Sequence, residues 1–174
     1  MNRILRYEII GIVFIVFLGS FLHFTYELSG FNPVVGAFSA VNESTWEHLK
    51  LAVFPALIYA VFEFYRLKDA KNLWPAKAVS IYLMPFLIAV FFYLYLLFIP
   101  DNFVMDITIF VVAVVIGQLV SYRMLISKKD YAKYKMLTIV LLVLLPILFI
   151  VFTFYPPHIF LFQDPITGGY GIPH

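Results

Sequence analysis

The densest set of residues able to do chemistry is Asn42-Glu43-Ser44-Thr45-Trp46-Glu47-His48-Leu49-Lys50, which leads directly into a long apolar run. Two carboxylates, an imidazole and an amine at a membrane boundary are costly, and such groups are usually paired, wetted or functional. On a helix Glu43 and Glu47 share one face, and Ser44 and His48 share another. Glu43, Glu47 and His48 are therefore candidate catalytic residues, the carboxylates as general bases. A plainer reading covers part of the segment. Ser44-Thr45-Trp46-Glu47 is a capping box, in which Ser44 accepts from the Glu47 amide and Glu47 reaches back to the Ser44 amide. Capping leaves His48, Glu43 and Lys50 unexplained. Lys50 either neutralises a neighbouring glutamate or extends its ammonium outward to water.

His23 and Glu27, four apart near the end of the first apolar run, also share a helical face. Such a pair could ligate a metal or form a hydrogen-bonded clasp between helices. The C-terminal tail, Tyr155 to His174, supplies further candidates in His158, held after two prolines, and Asp164, which with Pro165 fits the start of a turn. Gly168 and Gly169 admit backbone angles closed to other residues. The tail is rich in Phe, Ile and Tyr, so it is expected to fold over the mouth of the protein as a cap. The terminal His174 is expected to fray. Together His23, Glu27, His48 and His158 form the expected metal-ligand set. Asn42, Ser44, Trp46, Lys50 and Asp164 are expected to line the same pocket. A histidine and carboxylate site suits a divalent ion, zinc above all. The spacing matches no established metal motif; Trp46-Glu47-His48 is not H-E-x-x-H.

These residues need elements to hold them. The 174-residue chain is 63% hydrophobic and 13% charged, with mean hydropathy +0.95. Soluble domains are about half apolar and a quarter charged, so this composition describes an integral membrane protein. Five runs suffice to span a bilayer: about Arg6–Leu28, Thr45–Tyr65, Pro75–Phe98, Phe103–Leu125 and Lys135–Tyr155. The expected fold is all-α, a polytopic bundle of five transmembrane helices in one domain over residues 1–174. Residues 29–44 form an outer-face loop and 156–174 an outer-face cap. The first run follows Arg3 and Arg6 but no cleavage site follows it, so it reads as an uncleaved helix. The loop around Asn32-Pro33 carries a helix-start signal and is too short to span. Pro55, Pro85 and Pro146 fall inside runs, where kinks are expected.

Eleven of the twelve Lys and Arg residues fall at one end of these runs, Lys77 counted among the loop cations and Lys50 alone excepted. All four histidines fall at the other end. By the positive-inside rule the N-terminus is inside and the C-terminus outside, in a multi-pass plasma-membrane protein. The loop-bound basic residues are topology signals and argue against nucleic-acid binding. With no cysteine, disulfides, thiolate metal sites and Cys nucleophiles are excluded.

Asn42-Glu43-Ser44-Thr45-Trp46-Glu47-His48-Leu49-Lys50-Leu51 and the tail Pro156-Pro157-His158 … Asp164-Pro165 … Thr167-Gly168-Gly169-Tyr170-Gly171 together resemble an uncharacterised family of small multi-span prokaryotic membrane proteins. The resemblance covers nearly the whole chain and implies a prokaryotic plasma-membrane protein, with no activity or ligand attached. Three functions remain open. One is a metal-dependent membrane hydrolase acting on small polar or lipid-linked substrates at the outer face. Another is a cation or small-solute binding or transport protein; five spans are few for a transporter unless it forms a homo-oligomer. The third is a structural accessory subunit. The one-sided polar cluster suits an enzyme better than a through-path.

Overall fold

The computed structural model describes residues 2–172. His174, expected at the outer face, lies outside them. The described residues are all-helical, with five helices long and apolar enough to cross a membrane. These are α1 (Arg3–Leu28), α3 (Thr45–Arg66), α4 (Leu73–Leu96), α5 (Phe103–Leu125) and α6 (Lys135–Phe154). The one-turn α2 (Pro33–Gly36) stands between α1 and α3. The sequence-based bounds hold to within three residues. In apolar surroundings only the helix satisfies every amide internally, which is why each run becomes one.

Side-chain caps start most of the helices. Asn2 accepts from the Ile4 amide, Asn32 from Val34 ahead of α2, Ser44 from Glu47, and Asn102 from Val104 and Met105. Helices α3, α4 and α6 run on through Pro55, Pro85 and Pro146 as continuous helices. Asn72, before α4, caps nothing. Its amide donates to the carbonyls of Met124 and Lys129 and its oxygen accepts from the Tyr131 amide, tying α4 to the α5–α6 loop.

Helix α3 is the centre of the bundle. Of its most apolar window 61% is buried inside the protein, against 22–33% for the other four. It packs on α1, α4 and α6, while α5 packs on α1 and α4. A helix enclosed by protein can carry charged residues that a lipid-facing one cannot, and α3 buries Glu47, Lys50 and Glu63.

Gly19 sets the spacing of α1 against α3. A β-carbon there would collide with the Leu51 carbonyl and stand 2.7 Å from Phe110 Cζ. Gly19→Val should therefore force the two helices apart. The expected loss is about 1–3 kcal/mol, the usual cost of overpacking, read as a lower thermal midpoint in detergent. An unchanged midpoint would show that this crossing is not tight.

After α6 the tail folds back over the histidine-bearing end. A 3₁₀ turn at Phe160–Phe162 packs on α3. Trp46 stacks on Phe149 of α6 at 4.3 Å and meets Phe162 of the tail at 4.6 Å. The Asn42 amide donates to the Gly171 carbonyl at 2.8 Å. Gly168 and Gly171 have φ of 71° and 64°, the left-handed region glycine enters freely. Gly169, paired with Gly168 in the sequence reading, has no positive φ.

Candidate metal centre

Gly19 and Leu51 touch, and α1 and α3 run antiparallel. One turn beyond Gly19 on α1 therefore comes to the turn that precedes Leu51 on α3. Those positions hold His23 and His48. Their Nε2 atoms face each other at 3.1 Å. Glu43, from the loop that enters α3, adds Oε2 at 3.3 Å from His48 Nε2 and 3.8 Å from His23 Nε2. All three ligand atoms lie within 4.8 Å of one another, in the one such group found among the described residues. Two ligands that each lie about 2.0–2.1 Å from one tetrahedral ion stand about 3.4 Å apart. The three observed separations bracket that value.

His48 Nδ1 lies 2.9 Å from the Ser44 carbonyl. A proton on Nδ1 donates there, which leaves the Nε2 lone pair aimed at the other two ligands, the usual second-shell device for a metal-bound imidazole. With Nε2 protonated as well, His48 donates to Glu43. That hydrogen bond holds the Glu43 carboxyl below its ordinary range, partial burial opposing the shift and the charges of both histidines adding to it. The side chains are 29%, 44% and 32% exposed for His23, Glu43 and His48, so water reaches the group.

The remaining sequence candidates lie elsewhere. Glu27 is exposed and outside the group, because one turn beyond His23 carries α1 past the start of α3. His158 also stays out. It is exposed, and its ring stacks on Tyr170 within the tail at 4.4 Å. Asp164 is buried with its carboxylate committed to the tail turn, accepting from the Ile166 amide and the Thr167 hydroxyl. Asn42 bridges the Ser44 amide and Gly171, and Trp46 is an aromatic anchor for the tail.

Glu47 points away from water. Its side chain is 2% exposed and lies 2.5 Å from Lys50 Nζ. It also accepts from the Val41 amide and the Thr153 hydroxyl. Lys50 donates to the Gly36 carbonyl and to Thr153. Lys50 thus neutralises a glutamate rather than reaching water. The capping box is half formed: Ser44 accepts from Glu47 at 3.4 Å, but the Ser44 amide turns to Asn42. Glu47 is tied up in this network, so Glu43 is the carboxylate of the segment left facing the histidines.

Sequence reading missed a second polar centre, at the opposite end. Lys77, grouped there with the loop cations, is buried inside α4. It lies between Glu8 of α1 at 2.8 Å and Glu63 of α3 at 2.6 Å. The signal was available: a charged residue inside an apolar run is a site by default, and all three meet that description.

No curated protein and no solved structure matches the chain. Residues 1–172 match the model of a family of unknown function, DUF6512, and the chain belongs to that family.

Proposed function

We propose that this protein is a multi-pass plasma-membrane metalloprotein whose outward-facing centre, His23, Glu43 and His48, binds zinc and serves hydrolysis. The observation that carries this reading is the convergence of the two Nε2 atoms and Glu43 Oε2 at 3.1, 3.3 and 3.8 Å. Two imidazoles and a carboxylate are a zinc donor set, and three protein ligands leave a fourth position open, as in catalytic rather than structural sites. A divalent ion there supplies a Lewis acid and lowers the pKa of a bound water. The basic residues cluster at the other end, which supports an N-terminus in the cytoplasm and the histidines outside. A small polar or lipid-linked ester entering from the outer surface suits this position.

The transport alternative needs a polar route between the two ends. Between Lys50 and Glu63 the buried face of α3 is apolar from Leu51 to Ala56, and the one polar group beyond, the Tyr59 hydroxyl, is spent on the Tyr7 carbonyl, which supports a centre used from one side.

The test is metal analysis of protein purified without a metal-affinity step and then titrated with zinc. About one zinc per chain is expected, with affinity falling at least 100-fold in His23→Ala and His48→Ala and less in Glu43→Gln. A wild-type chain that takes up no zinc, cobalt or manganese would overturn the metal reading. A zinc-loaded protein that cleaves neither phosphate nor carboxylate ester probes would remove hydrolysis and keep the metal. Because the chain has no cysteine, a single Cys at Ser29 is expected to react with an impermeant maleimide from outside intact cells.

A further inference from the structure

Helices α1, α3, α4 and α5 enclose Glu8, Glu63 and Lys77, each 1% exposed. Glu8 Oε1 receives two donors, the Lys77 ammonium and the Ser121 hydroxyl, each at 2.8 Å. Glu63 has the Lys77 ammonium beside Oε2 and no other donor. Glu8 Oε2 and both Glu63 oxygens are buried without a hydrogen-bond partner, Glu63 Oε2 meeting Lys77 as an ion pair only.

With all three groups ionised the centre holds two negative charges and one positive. A buried charge left uncompensated costs several kcal/mol. The other groups around it cannot cancel it. Tyr59 of α3 spends its hydroxyl on the Tyr7 carbonyl of α1, and Gln118 and Ser121 of α5 and Ser80 of α4 are neutral. A second cation is disfavoured because the Lys77 ammonium already stands between the carboxylates. A proton restores neutrality without needing space.

We infer that the Glu8–Lys77–Glu63 centre binds one proton, carried by Glu63. Glu8 has the two donors that stabilise an ionised carboxylate, and Glu63 lacks the second. A clasp between helices needs one carboxylate for one ammonium; the extra glutamate makes the centre a proton-binding site.

Infrared spectroscopy of the purified protein, compared between ordinary and heavy water at neutral pH, reads protonated carboxyl groups directly. The wild type should show one isotope-sensitive acid carbonyl band more than Glu63→Gln. Glu8→Gln should lose the same band, because Glu63 then ionises to pair with Lys77. Wild-type and Glu63→Gln spectra that superimpose in this region would overturn the proposal. If Glu63→Gln cannot be purified, the comparison with Glu8→Gln decides alone. Stability assigns the carrier: Glu63→Gln mimics the protonated side chain and should keep the wild-type thermal midpoint, whereas Glu8→Gln should lower it. The reverse order would overturn the assignment to Glu63.

Discussion

Lys50→Met is expected to destabilise the protein by about 3–5 kcal/mol, the usual result of removing one member of a buried ion pair. Lys50 is fully enclosed, and its ammonium meets Glu47, the Gly36 carbonyl and the Thr153 hydroxyl. Methionine fills a similar volume, so the loss comes from charge rather than from a cavity. It strands the Glu47 carboxylate and a buried carbonyl together. The double variant Glu47→Gln/Lys50→Met should recover most of the loss, since neutral replacement of a whole buried pair is often nearly neutral. Thermal and denaturant unfolding of the three proteins in one detergent checks this. A single variant within about 1 kcal/mol of wild type would show that the ammonium is not what neutralises Glu47.

Trp46→Ala should release the C-terminal tail. The indole touches Phe149 and Phe152 of α6 and Phe162 of the tail, with ring centroids 4.3, 5.6 and 4.6 Å away. Truncating a fully buried tryptophan costs about 3–5 kcal/mol. Trp46 is half-buried, so about 2–3 kcal/mol is expected. Rapid cleavage between Pro156 and Ile172 by an added protease should accompany that loss, with Trp46→Phe intermediate. A tail equally resistant in Trp46→Ala would place its anchor elsewhere, in the Asn42–Gly171 hydrogen bond above all.

The five helices were legible because hydropathy writes itself locally: each run is a property of its own residues. Which residues meet across helices is a property of packing, and that is where the reading thinned. His23 and His48 were both singled out, but their register follows from the Gly19–Leu51 contact, and glycine does not name its partner. Glu43, Glu47 and His48 are adjacent in sequence, yet they divide at the start of α3. Glu43 precedes the helix and turns to the histidines; Glu47 sits in its first turn and turns to Lys50. Helical spacing put the two glutamates on one face, but Glu43 is not helical. Lys77 was read as a loop cation because it lies near others. Its place inside α4, and the roles of Glu8 and Glu63, required weighing each charge against its apolar neighbours rather than against other charges.

The concentration of charge on α3 bears on how the chain is made. Four of its residues, Glu47, Lys50, Glu63 and Arg66, are carboxylic acids or strong bases, and the mean hydropathy of its most apolar stretch, 1.3, is the lowest of the five long helices. Glu47 and Lys50 carry their own counterion, but Glu63 depends on Lys77, which the ribosome delivers only with the next helix. Of the five helices apolar enough to cross a membrane, α3 is thus the one least able to partition into lipid as it emerges. Biogenesis should hold it at the translocon until α4 arrives, so that the hairpin enters as a unit.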